Sequence, residues 1–131
     1  MLIIKEFIIL FLLSLLSFLK DLSSGLNYYE KCLSDINFHV VLFTHHLISV
    51  FSVIGWLSSN KLTLICYILV QISICIQWFI FRKCILVTYI QENCKNRDIP
   101  FRDIYYFLNI KEEMRYIVGC FVIITMIRLC I

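Results

Sequence analysis

Residues 38–81 read FHVVLFTHHLISVFSVIGWLSSNKLTLICYILVQISICIQWFIF, and this stretch decides the fold. It holds two apolar runs, Phe38–Leu57 and Leu62–Phe81, neither containing a carboxylate, joined by Ser58-Ser59-Asn60-Lys61. A bilayer core about 30 Å thick requires roughly 20 mostly apolar residues of a helix that crosses it. Both runs reach that length. The short polar turn between them makes the pair an antiparallel helical hairpin.

Two weaker runs flank the hairpin. Leu2–Leu19 carries Lys5 and Glu6 near its start, and Tyr116–Ile131 carries Arg128 near its end. The chain therefore reads as an all-α integral membrane protein with about four transmembrane helices. It forms one domain over residues 1–131, with spans at 2–19, 38–57, 62–81 and 116–131 and a loop at 82–115. Composition agrees: 16% of residues are charged and 61% hydrophobic, against about 25% charged in ordinary soluble domains. Helices apolar on every side are deeply buried or face lipid. A chain of 131 residues is too small to bury four of them in water.

The first run also has the layout of a secretory signal, with Lys5, the apolar Phe7–Leu19 and the small residues Ser23-Ser24-Gly25. Charge favours a retained span. Lys/Arg excess marks cytoplasmic loops, and residues 82–115 hold Arg82, Lys83, Lys95, Arg97, Arg102, Lys111 and Arg115. With four spans, this loop and the connector bearing Lys20 and Lys31 are cytoplasmic. Both ends and the Ser58–Lys61 turn then lie outside. A cleaved leader would put the cation-rich loop outside instead.

The chain has no alanine, only three Gly and one Pro, and 23 Ile. Membrane packing does not exclude alanine, since small residues suit helix contacts. An AT-rich genome would produce the bias, as in large DNA viruses, some parasites and some bacteria; among these the reading favours a viral membrane protein, located in a virion or a host internal membrane.

Polar residues inside the hairpin are the candidate functional groups, because such residues are costly in lipid. His45, Ser49, Ser52 and Trp56 lie on one helical face, as do Tyr67, Gln71, Cys75, Trp78 and Arg82. Folding about Ser59–Asn60 sets Ser52 opposite Tyr67, and His45 opposite the Ile74–Cys75 level. Helix–helix hydrogen bonding is the plainer use of these stripes; a cavity or relay through His45 is the alternative. All three His lie on one run, and no carboxylate lies at membrane depth beside them. No metal or other cofactor is expected. The seven Cys contain no C-x-x-C pair and read as small apolar residues. Cys32, Cys84 and Cys94, on the cytoplasmic side, are expected to be reduced. Juxtamembrane Cys84 is a candidate for palmitoylation.

Beyond Phe81, Ile85, Leu86, Tyr89 and Ile90 recur at helical spacing, so the third span is expected to continue as a short amphipathic helix. Asn93–Asp98 reads as a loop, Pro100 as a helix border, and Ile104–Ile110 as an interfacial helix. Glu92, Asp98, Asp103, Glu112 and Glu113 offset most of the loop's positive charge, so nucleic-acid binding is not indicated. No phosphate-cradling glycine loop or hydrolase motif is present.

His45, Phe51 and Gly55 match the pattern His-x5-Phe-x3-Gly, and Cys84, Leu86, Thr88 and Glu92 follow a Cys-Pro-Leu-Thr-x-x-Glu pattern with Ile85 in place of proline and extra residues before Thr and Glu. In this the chain resembles a bacterial family of short, uncharacterised four-helix membrane proteins. The resemblance covers about residues 38–92 and implies four spans with no assigned activity. It makes His45, Cys84 and Glu92 the residues to test.

The expected function is non-enzymatic: a structural or assembly role in a membrane, with lipid and protein partners or self-association. One alternative is a small transporter or channel-like oligomer using His45, Ser49 and Gln71. Another is a membrane redox or metal-binding protein using His45 with Cys75 or Cys84.

Overall fold

A computed structural model describes residues 2–99, 102–110 and 113–131. Seven α-helices follow in order: α1 (Leu2–Ser24), α2 (Leu26–Tyr29), α3 (Ile36–Ile54), α4 (Lys61–Phe81), α5 (Ile85–Asn93), α6 (Ile104–Phe107) and α7 (Met114–Cys130). A 3₁₀ turn, Gly55–Leu57, extends α3, and no strand occurs among the described residues. The all-α expectation is met.

Local chemistry fixes the helix starts. The Asp35 carboxylate accepts from the Asn37 N–H at the start of α3, and Asn60 Oδ1 accepts from Leu62 N–H at 2.8 Å at the start of α4. Such caps are worth about 1 kcal/mol each. The ends are less ordinary. Arg82, Lys95 and Asn109 take φ of 53°, 50° and 57°, the left-handed region. Arg82 closes α4 there, with its N–H on Trp78 O. The third span therefore does not continue past Phe81 as expected. It stops, and α5 starts as a separate helix after the corner at residues 82–84. The interfacial helix near Ile104–Ile110 shrinks to the four residues of α6. Pro100 lies outside the described residues.

The long helices pack in chain order. α1 lies on α3, α3 pairs with α4 through the hairpin, and α4 carries α7; α5 and α6 fold back onto α3. Polar contacts tie both outer helices to the hairpin turn. Glu6 of α1 accepts from the Ser58 hydroxyl at 2.6 Å, and Arg128 of α7 donates to Ser58 O at 2.7 Å and to Trp56 O. At the opposite end, Tyr29, Cys32, Phe38, Leu42, Ile90, Cys94 and Ile99 form the buried apolar core.

Two helices, Ile36–Leu57 and Lys61–Phe81, are long and apolar enough to cross a membrane, with mean hydropathies of 1.8 and 2.2. α4 is mostly exposed: Leu62, Leu69, Ile76 and Phe79 all point outward, Phe79 at 87% exposure. A soluble core helix would be covered, and an apolar surface of this extent marks an interaction with lipid or protein. α1 carries Lys5, Glu6, Lys20 and Asp21, and α7 has 17 residues.

Gly55 sits where a side chain would not fit. A Cβ there would lie 2.7 Å from ring atoms of both Phe51 and Tyr67. Gly119 on α7 has nothing within 4 Å of the same position. Gly55→Ala should therefore destabilise the hairpin by about 1–3 kcal/mol, the usual range for overpacking, and Gly119→Ala, inside α7 with open space around it, should stabilise by up to about 1 kcal/mol. Thermal unfolding of the detergent-solubilised variants checks the pair; equal melting temperatures would refute the close approach.

Candidate functional site

Asp21 is the centre of a buried polar core. Its position follows from α1 running through to Ser24 rather than ending near Leu19, which puts Ser17 and Asp21 one turn apart on the face toward α3. The Asp21 side chain is fully buried. Both its oxygens accept from the Tyr29 hydroxyl at 2.9 Å, and Oδ2 lies 2.8 Å from His46 Nε2. The other ring nitrogen, His46 Nδ1, lies 2.8 Å from Ser17 Oγ. With the carboxylate on Nε2, the proton of a neutral ring belongs on Nε2, and Nδ1 accepts from the serine hydroxyl.

Arg102 completes the cluster from the segment before α6. Its Nε is 3.2 Å from Asp21 Oδ1, an ion-pair contact without the alignment of a hydrogen bond. Its terminal nitrogens donate to Ser24 O and Ser24 Oγ. The rings of Tyr28, Tyr106 and Phe107 surround the guanidinium at 5.7–5.8 Å, within cation–π range. Gly25 makes room for this: a Cβ there would meet Asp21 O at 2.8 Å and the Arg102 guanidinium at 3.2 Å. Asp21 thus joins α1, α2, α3 and the 102–107 segment at one point. Proximity to Asp21 and burial both push the Tyr29 hydroxyl pKa up, burial contributing most, so it remains a donor at neutral pH.

A second polar group lies along the hairpin. The Tyr67 hydroxyl donates to Ser52 O at 2.9 Å and Gln71 Nε2 to Ser52 Oγ at 3.0 Å. Buried Tyr105 of α6 lies beside Ser52 and Tyr67. The expected facing of Ser52 and Tyr67 is met. The His45 ring meets Cys84 Sγ at 4.0 Å and the backbone of Arg102.

Of the sequence-derived candidates, His45 and Cys84 come together, although 39 residues separate them. Gln71 reaches Ser52 instead, and Ser49 spends its hydroxyl on His45 O of its own helix. Glu92 is exposed on α5 and joins nothing here. Cys75 is exposed. Three expectations are corrected. A carboxylate does reach a histidine inside the helices, because the apolar run extends past its apparent end and Asp21 points inward. Cys32 and Cys94 are not reduced thiols but a disulfide, with Cα atoms 5.0 Å apart. Cys66, Cys75, Cys120 and Cys130 are exposed rather than buried fillers. Sequence reasoning missed Asp21, Tyr29, His46 and Arg102. The only available signal was the Ser17–Asp21 spacing, which continues the helical period of the first run.

The chemistry available to this core is limited by access. Ser17–His46–Asp21 has the connectivity of a catalytic triad, but Ser17 is buried between helices. A crevice of about 470 Å³ between the start of α1, the end of α3 and the start of α4 is lined by Phe7, Leu10, Leu13, Phe51 and Leu62, and touches neither Ser17 nor His46. Ser17 lies inside α1, so the backbone N–H groups of its own turn are spent on the helix ladder and supply no oxyanion donors. Cys84 is no activated nucleophile either. Burial, and to a smaller degree Asp103, push its pKa above the ordinary 9.0, with partial compensation from backbone N–H groups at the start of α5. A nucleophilic cysteine needs the opposite shift.

A kinetic prediction follows for Cys84. With Cys32 and Cys94 intact and the other thiols replaced, alkylation by iodoacetamide at pH 8 should be slower than in the unfolded chain. The rate should still be climbing above pH 9.0. A rate plateau near pH 7 would show a thiolate held by His45.

The chain matches no family model, no curated protein and no solved structure.

Proposed function

We propose that this is a multi-pass membrane protein in which α1, α3, α4 and α7 all cross the bilayer, with a structural or assembly role rather than a catalytic one. The observation that carries the reading is the use made of Asp21. Its three partners come from three other elements, so the buried charge serves to fasten helices together. Buried polar groups of this kind give interhelical bonds in lipid, each about 0.6–2 kcal/mol. The Ser52–Gln71–Tyr67 group does the same within the hairpin. The exposed apolar face of α4 is where lipid, a protein partner or a second copy would lie. Integration of α1 through Ser17 and Asp21 supports its retention in the working protein. The alanine-free composition supports a viral or infected-cell membrane as its location.

Reconstitution into liposomes tests the reading against its transporter and redox alternatives. The expected result is no proton or ion flux above that of protein-free vesicles and no visible absorbance. Replacing His45, Ser49 and Gln71 with apolar residues should leave insertion and partner association intact. A flux abolished by those replacements would establish a pathway and sink the structural reading.

A further inference from the structure

Cys32 and Cys94 are each almost fully buried, within the apolar core formed by Tyr29, Phe38, Leu42 and Ile90. Backbone structure delivers them there. Cys32 follows α2 with its N–H on Tyr29 O, and Cys94 ends α5 with its N–H on Ile90 O. A neighbouring bond, Asn93 Nδ2 to Asp35 Oδ2 at 2.7 Å, holds the same two segments together. Of the five other cysteines, Cys84 lies at this same end as a single half-buried thiol beside His45, Cys66, Cys75 and Cys120 are on exposed faces of long helices, and Cys130 is at the end of α7 near the hairpin turn. The one bonded pair therefore belongs to the end of the molecule built from residues 25–35 and 82–110.

We infer that this end lies in an oxidising, extracytoplasmic compartment, and that the Ser58–Asn60 turn and the start of α1 face the reducing side. Disulfides form and persist in oxidising compartments and are rare where thiol reductants circulate. Forming this one removes two protons and two electrons from the Cys32 and Cys94 thiols. They pass to the disulfide of a thiol–disulfide oxidase, which is reduced to two thiols as one S–S bond forms in the protein. The orientation reverses the one read from charge. The charge rule counts free cations that resist transfer across the membrane, and of the seven on this loop only Arg102 is withdrawn, into its contact with Asp21, so the two signals oppose each other. The covalent bond requires an oxidant on its own side.

The consequence is a covalent clasp on the polar core. The bond joins the connector that supplies Tyr29 to the segment that leads to Arg102, and both side chains end on Asp21. An intact bond thereby keeps two of the three partners of Asp21 in reach.

The inference rests on the multi-pass reading, and one experiment separates their failures. Ser59→Cys and Glu92→Cys are placed singly in a chain whose five free cysteines are replaced, both sites being exposed. Intact cells in which surface biotinylation shows each variant at the plasma membrane are treated with a membrane-impermeant maleimide. Glu92→Cys should label from outside and Ser59→Cys only after the membrane is opened. In the same cells, Cys32 and Cys94 should resist alkylation in denaturant until a reductant is added. Labelling of Ser59→Cys alone from outside would overturn the orientation and leave the multi-pass reading standing. Labelling of both from one side would overturn the multi-pass reading. Free Cys32 and Cys94 thiols would overturn the clasp.

Discussion

Arg102→Met should be the most damaging single substitution in the chain, lowering stability by about 3–5 kcal/mol. The arginine is 7% exposed and Asp21 not at all, so removing the cation leaves a carboxylate in an apolar surround with only neutral donors and His46 beside it. Breaking a buried pair by deleting one partner costs far more than the pair is worth, because the orphaned charge keeps its desolvation penalty. The loss should appear as a lower melting temperature in detergent and as new protease cleavage between residues 95 and 110. Adding Asp21→Asn should recover part of the loss, since an amide oxygen still accepts from Tyr29 and the charge is gone. A double variant no better than Arg102→Met would mean that Arg102 acts through its ring contacts with Tyr28, Tyr106 and Phe107 instead.

Removal of the disulfide should have the second-largest effect. Cys32 and Cys94 are 62 residues apart in sequence, so the cross-link restrains a long loop of the unfolded chain, with an expected contribution of about 2–4 kcal/mol. The Cys32→Ala/Cys94→Ala variant should melt earlier by that margin, and a reductant should shift the native protein toward the same value. Because both sulfurs are buried, reduction should be slow under native conditions and fast in denaturant. The loosened region should include the 102–107 segment, so Tyr105 and Arg102 should gain protease and solvent access together. An unchanged melting temperature in the double variant would show that apolar packing around Ile90 and Phe38 suffices to hold the connector on α5.

The hairpin was legible because two independent signals agree there. Run length gives the helices, and the polar turn gives their antiparallel register, from which the Ser52–Tyr67 proximity follows. The end of α1 was not legible. Lys20, Asp21, Ser23 and Ser24 look like a polar connector in any hydropathy scan, and only the contact with His46 explains why the helix runs through them. Arg102 was hidden for a similar reason. In a cation-rich loop it resembles Lys95 or Arg97, and nothing local marks it as the one that turns inward. The resemblance picked out both His45 and Cys84 without implying that they meet; they do so because α4 ends at Phe81 and the corner at residues 82–84 brings Cys84 back to α3. The disulfide was beyond sequence reading, since seven cysteines without a short-spaced motif leave the pairing open.

The three left-handed corners at Arg82, Lys95 and Asn109 bear on how this protein could change. Only asparagine among them tolerates that conformation readily; a side chain with an ordinary Cβ is disfavoured there by roughly 1–2 kcal/mol. Glycine is the residue such helix ends favour, and the chain has three in total. Arg82→Gly and Lys95→Gly should therefore raise stability, by up to about 1 kcal/mol each after the added freedom of the unfolded chain is counted, with a smaller gain at Asn109. Where such gains exist, the native residue reflects the supply of mutations more than the demands of the fold. Natural chains that sit short of their stability optimum are the rule, and here the positions of the shortfall can be named in advance.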